Sequence, residues 1–221
     1  ADAYFAMGIA YGELGKEEGL TFMKRSLEAY QRAGNIAREA DTLSTLGSVC
    51  HWAGRWDDAL SYYDQAREEA LKIGDTVGAA LVRINTAEIL TDRGEWAEAE
   101  VLLMETLPLW KASQYRFYLG VCLWNLGHVL LRRGRVDDAL RHLEEAKSHL
   151  VGVGADEMIP AIDARIAECR IASGNADAAL ELARSLLDRA TESDGVAKVI
   201  PLLERVQGHA LLLQGDLWGA R

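Results

Sequence analysis

Proline is scarce in this chain: three of 221 residues, Pro108, Pro160 and Pro201. With abundant Ala, Leu, Glu and Arg, that scarcity favours helices, and no segment alternates at period two long enough to compete as a strand. Cysteine is equally sparse. Cys50, Cys122 and Cys169 form no Cys-x-x-Cys pair, and an odd number without a spacing pattern excludes a disulfide framework. A reduced, cytoplasmic setting is expected. No run of 18 uncharged apolar residues occurs and no basic stretch leads into an apolar signal core, so no contact with membrane is expected. Positive charge is also short. Lys and Arg number 24 against 34 Asp and Glu, a formal net charge of −10, which is poor electrostatics for neutralising phosphate backbones and sets direct nucleic-acid contact aside.

Catalytic patterns are missing as well. Gly15-Lys16-Glu17 has neither the glycine spacing nor the preceding strand of a phosphate loop, and no serine occupies a strand-to-helix elbow. The histidines, at 51, 128, 142, 149 and 209, carry no metalloprotease pattern. Cys50 and His51 are adjacent and therefore point to different sides of a helix. The expectation is a chain that is not an enzyme, with no cofactor and no metal site.

What the chain does have is a ladder of glycines. Gly15, Gly54, Gly94, Gly134, Gly174 and Gly215 recur at spacings of 39, 40, 40, 40 and 41 residues. A period near 40 describes a helical hairpin that gains stability by stacking on its neighbours. In the clearest unit Gly34-Asn35 breaks the chain, Ala37 to Ala53 reads as a first helix ended by Gly54, and Trp56 to Ile73 reads as a second, ended by Gly74-Asp75. Further breaks are expected at Gln114, Gly154 and Gly195. Approximate units follow as 1–34, 35–74, 75–114, 115–154, 155–195 and a shortened 196–221, one array over 1–221 that is expected to continue beyond residue 221 and before residue 1.

Within a unit, Leu43, Leu46 and Cys50, and again Leu123, Leu126 and Leu130, lie three and four apart on one helical stripe. Small residues recur at one place in each first helix: Gly8, Gly47, Ala87, Gly127, Ala167 and Gly208. Glycine inside a helix costs about 1 kcal/mol relative to alanine, so its recurrence implies close approach of the paired helix, with Ala59, Ala99, Ala139 and Ala179 as expected partners. Trp56 and Trp96, two residues after Gly54 and Gly94, are expected to plug the hairpin turns, and Trp110, Tyr115, Phe117 and Tyr118 to cluster at the fourth unit's entry.

The pattern Leu43, Leu46-Gly47, Cys50, Gly54, Ala59, Tyr63, Ala66, renewed as Leu123, Leu126-Gly127, Leu130, Gly134, Ala139, Leu143, Ala146, resembles the tetratricopeptide repeat over essentially the whole chain. It departs in length, 40 residues against the usual 34, in carrying leucine at positions 43 and 123 where tryptophan is frequent, and in lacking the proline that often closes the second helix. A HEAT-type array shares the period but leaves the register of small residues unexplained. The resemblance implies an all-α fold, a right-handed solenoid of antiparallel hairpins whose first helices line a concave face. The long unit is similar to arrays in bacterial multidomain regulators, where they serve as sensor or docking arms beside ATPase, cyclase or DNA-binding domains in signalling and transcription regulation.

The expected binding residues lie beside the buried stripe of the first helices: Ser48, His51 and Trp52 in the second unit, Asn85 and Glu88 in the third, Trp124, Asn125, His128 and Arg132 in the fourth, Arg165 and Glu168 in the fifth. Asn85 and Asn125 stand forty apart on one ridge, and an amide that both donates and accepts suits the backbone of an extended peptide. Arg165 continues that ridge toward a carboxylate. Trp124 beside Asn125, with His128 one turn on, has the composition of an interface hot spot. The leading expectation is a scaffold for a protein or peptide, including an intramolecular partner domain; the alternatives are a ligand-sensing arm controlling an attached output domain, and self-association through end units.

Overall fold

The computed structural model describes residues 1–14, 16, 18–188 and 199–216; Gly15, the expected break at Gly195 and the chain end at Arg221 lie outside them. The described residues form eleven α-helices and no strand. These are α1 (Asp2–Glu13), α2 (Glu18–Ala33), α3 (Ile36–Trp52), α4 (Trp56–Lys72), α5 (Thr76–Asp92), α6 (Trp96–Ala112), α7 (Arg116–Arg132), α8 (Val136–Val151), α9 (Ile159–Ala172), α10 (Ala176–Asp188) and α11 (Ile200–Leu213), with a 3-10 turn, Asp156–Met158, before α9.

Most connections are three-residue turns built alike. At the end of α3 the Gly54 N–H donates to the His51 carbonyl and the Arg55 N–H to the Cys50 carbonyl, at 2.9 and 2.8 Å. These bonds satisfy carbonyls that the helix end leaves open. They require a left-handed residue, and Gly54 supplies it at φ +72°. Two helices are also capped by the side chain just before them: at α3 Asn35 accepts from the Arg38 N–H at 3.2 Å, and at α5 Asp75 accepts from the Gly78 N–H at 2.8 Å. Where α6 meets α7 no glycine is present, and Ser113 substitutes. Its hydroxyl donates to the Trp110 carbonyl at 3.1 Å and accepts from the Tyr115 N–H at 3.4 Å.

The chain divides into two compact units, Ala1–Leu102 and Leu103–Arg221. In the first, α1 pairs with α2 and α3 with α4, while α2 packs on α3 and α4 on α5. Leu43, Cys50, Tyr63, Ala66, Val82 and Ile89 form its central core. In the second, α7 pairs with α8 and α9 with α10, α8 packs on α9, and α11 packs on α10 and α9. Ala164, Ala167, Ala183, Leu186, Leu203 and Val206 hold that end together, and Lys147 on α8 reaches Asp163 on α9 at 2.6 Å.

The two helices of a hairpin are buried differently. In α8 the buried residues are Ala139, Leu143, Ala146 and Leu150, one stripe with the opposite face in solvent. In α7 they are Leu119, Gly120, Cys122, Leu123, Leu126, Gly127, Val129 and Leu130, which leaves a narrow accessible strip. A first helix is flanked by its own partner and by the helices of the adjoining hairpin, so its polar residues are confined to that strip.

The small-residue register has a more specific partner than the alanines expected. A Cβ on Gly47 would lie 2.4 Å from the Tyr63 ring, and one on Gly127 would lie 2.6 Å from Leu143 Cγ and 3.1 Å from the Ala139 carbonyl oxygen. Gly8 faces Met23 in the same way. The missing side chain thus makes room for a large residue four positions after a small one, Ala59 before Tyr63, Ala139 before Leu143 and Gly19 before Met23, and that small residue keeps the helix backbones close. Trp56 is partly buried against the first core, while Trp96 folds its indole N–H back onto the Thr91 carbonyl at 3.2 Å. Gly127→Leu is expected to lower stability by about 1–3 kcal/mol through overpacking against Leu143. Far-UV thermal melts read this directly, and an unchanged midpoint would refute the close-approach assignment.

Candidate binding face

In the first unit the strip runs over α3 and α5. Ser48 shares a 3.0 Å hydrogen bond with the Tyr63 hydroxyl, and His51 Nε2 lies 3.4 Å from Asp92 Oδ2. Burial pushes the Tyr63 phenol up to about 12, so Tyr63 stays protonated as the buried anchor of Ser48. Asn85 and Glu88 follow on α5, Asn85 partly buried and Glu88 exposed. The Glu88 carboxyl nonetheless loses water to the side chains around it, which raises its pKa, while His51 opposes the rise. Trp52 stands at the end of α3 with 83% of its surface in solvent.

In the second unit the strip runs over α7, α9 and α11. Trp124, Asn125 and His128 are all partly buried on α7. The Asn125 amide donates to the Val121 carbonyl one turn back, at 3.2 Å, which fixes its rotamer and leaves its carbonyl oxygen as an acceptor. Arg132, Arg165 and Glu168 converge. Arg165 Nη1 donates to Glu168 Oε2 at 2.5 Å, so the carboxylate expected opposite Arg165 is supplied by its own helix, three residues on. Arg132 Nη2 lies 3.7 Å from Glu168 Oε1.

A further residue joins them. Arg205 on α11 donates from Nη2 to Glu168 Oε1 at 2.5 Å. Arg205 falls in the short last unit and outside the expected binding residues, yet the spacing carries a signal for it. The final spacing of 41 residues sets His209 at the place of Glu168, and Arg205 lies one turn before His209. Three guanidinium groups from α7, α9 and α11 therefore meet one carboxylate that is only 12% exposed. Charge-assisted bonds of this kind are stronger than neutral ones.

The entry aromatics do assemble: the Trp110 and Tyr118 rings lie 5.3 Å apart, Phe117 and Tyr118 5.4 Å. Trp110 is fully buried, whereas Tyr115 and Phe117 are exposed. The three cysteines are buried and unbridged, and burial raises the thiols of Cys122 and Cys169 to about 11 and about 12. Among the described residues, no group of three His, Cys, Asp or Glu side chains is placed to hold a metal ion, and no helix is long and apolar enough to cross a membrane.

His128 is the titratable group most displaced on this face. Burial first, then the charges of Arg165 and Arg132, push it down to about 3. The geometry agrees, since Arg132 Nε donates to His128 Nε2 at 3.3 Å and a neutral ring is needed to accept that bond. Folded His128 is therefore neutral where an unfolded histidine takes up a proton. Stability falls as pH drops from the ordinary value of 6.5 toward about 3, by up to about 1.4 kcal/mol per pH unit, and this group contributes no slope above that window. Thermal midpoints measured between pH 7.5 and 5 are expected to decline less steeply in His128→Gln than in the parent chain; parallel declines would refute the assignment.

Known structures share this arrangement of helices. BtubC (BKLC) from P. vanneervenii superposes with a TM-score of 0.72 at 15% identity, over 91% of this chain and 85% of that one. A signal transduction ATPase with numerous domains, carrying a tetratricopeptide repeat sensor, from Pyrococcus horikoshii gives 0.75 at 19% identity, over 99% of this chain and 34% of that one. A Rap protein complexed with Competence and Sporulation Factor gives 0.76 at 15% identity, over 98% and 60%. The chain thus spans about a third of the ATPase's length and three fifths of the Rap protein's, and at these identities the likeness is one of fold. A search of curated proteins finds no match. The family model for the tetratricopeptide repeat matches residues 1–68, 38–112 and 77–150, together about two thirds of the chain. With the hairpin turns, the small-residue register and the stacked helix pairs in place, the chain belongs to the tetratricopeptide repeat family.

Proposed function

We propose that the chain is a protein- or peptide-binding scaffold, an array of the six units set out above, that holds its partner along the polar strip of its first helices and serves as one arm of a larger regulatory protein. One observation carries the reading. Burial leaves each first helix little freedom, yet the accessible strip holds polar and aromatic residues capable of contact: Ser48, His51, Asn85 and Glu88 in one unit, Trp124, Asn125, His128, Arg132, Arg165 and Glu168 in the other. Asparagine is a poor helix former on propensity alone, so Asn85 and Asn125 at one register position call for a reason beyond the helix. An amide held by its own turn, as Asn125 is, presents a pre-oriented group to a partner's backbone and reduces the ordering cost of binding.

The Rap structure named for its complex with Competence and Sporulation Factor supports a partner-holding role for this fold. A second reading, a sensing arm that reports to an attached output domain, draws on the ATPase whose repeat array is named a sensor.

The test uses a partner captured from lysate by the whole chain and then purified. Asn85→Ala with Asn125→Ala is expected to weaken its binding about tenfold, or about 1.4 kcal/mol, while the thermal midpoint stays within about 2 °C. Unchanged affinity in the double variant would remove the ridge from the interface.

A further inference from the structure

Beside Glu168 the second unit contains a cavity of about 380 Å³. Arg132, Glu168 and Arg205 line its polar side, and Leu131, Ile171 and Val206 give it an apolar wall. We propose that this cavity is a site for a phosphomonoester, its phosphoryl group held by Arg132 and Arg205 and its carbon stem resting on Leu131, Ile171 and Val206. The proposal rests on the first-helix strip being the binding face and names what one end of that face recognises.

Charge is the first reason. Arg132, Arg165 and Arg205 surround the single carboxylate of Glu168, which leaves two positive charges in a chain whose overall balance is −10. A cluster of this sign is a local exception to the composition. A carboxylate ligand would balance half of it. A phosphoryl group brings about −1.5 to −2 at neutral pH and three acceptor oxygens, which matches the excess.

Donor supply is the second. Each guanidinium carries five N–H donors in a rigid fork suited to phosphate. Glu168 takes one from Arg165 and one from Arg205, on different oxygens. His128 engages Arg132 through Nε, which steadies that guanidinium without adding a competing charge. Glu168 is thus a resident anion that orders the arginines.

The third reason is shape. The cavity is much larger than a phosphoryl group, and its apolar wall suits a carbon-bearing ester better than a bare ion. A phosphorylated side chain and a free small phosphomonoester share this chemistry.

Calorimetric titration of the whole chain in phosphate-free buffer at fixed ionic strength tests the site. The probes are phenyl phosphate, benzoate, inorganic phosphate, and a short peptide with serine or phosphoserine. Phenyl phosphate is expected to bind at least about tenfold more tightly than benzoate or inorganic phosphate. Arg205→Ala, at a half-exposed side chain, is expected to weaken phenyl phosphate about tenfold. Phosphoserine peptide binding above both its unmodified form and phenyl phosphate assigns the site to a modified partner; the reverse order assigns it to a free metabolite-sized ester, and either order supports the proposal. Equal binding of benzoate and phenyl phosphate, binding of inorganic phosphate as an adventitious ion only, or indifference to Arg205→Ala overturns it. Should the phosphoryl probes fail while Asn85→Ala with Asn125→Ala still weakens the captured partner, the phosphoryl site is lost and the scaffold reading stands.

Discussion

The contact between the glycine in the middle of α1, α3 or α7 and the bulky residue of the paired helix sets the geometry on which the rest of the molecule depends. Gly47 makes room for the Tyr63 ring, and Gly127 does the same for Leu143. Without that room the hairpin splays, and the apolar stripe of α4 or α8 loses the face it is meant to cover. A hairpin of this size cannot bury both faces alone; the next pair completes it, as α5 does for α4 and α9 for α8. The left-handed glycines at the turns serve the same end, because a three-residue connection is short enough to keep the paired helices in register.

From that packing follows where polar chemistry can sit. The second helices spend one stripe on burial and present the rest to water. The first helices are crowded on several sides, so their polar residues are gathered onto a strip and spaced by the repeat. Periodicity therefore stacks side chains from distant parts of the chain beside one another. In the second unit it brings Arg132, Arg165 and Arg205 to Glu168 and lowers the affinity of His128 for a proton. A chain of acidic composition acquires a cationic pocket because repeat geometry selects one residue in about forty for each place along the strip.

Much of the fold was legible from residue spacing. The glycine ladder marked hairpin turns, Leu43, Leu46 and Cys50 marked a buried stripe, and Trp110 with Tyr118 marked a cluster of rings. These are local or periodic signals, and a helix converts spacing into facing directly. Partner identity across a hairpin was less legible: Tyr63, rather than Ala59 alone, fills the space beside Gly47, because side-chain length decides which residue reaches across. The candidate face was legible as positions and not as pairings. Spacing suits Arg165 to a carboxylate without saying which, and the structure pairs it with Glu168 on its own helix.

The sequence by itself determined the all-α class, the forty-residue hairpin, the positions of the turns and the strip on which polar side chains recur, since all of these follow from 3.6-residue periodicity and from the backbone freedom of glycine. Only the tertiary structure decided what those side chains do to one another. That three arginines share one carboxylate, that His128 stays neutral, and that a cavity with an apolar wall opens beside them depend on distances between α7, α9 and α11. Those distances are set by the packing of one hairpin on the next, and no spacing along a single helix encodes them.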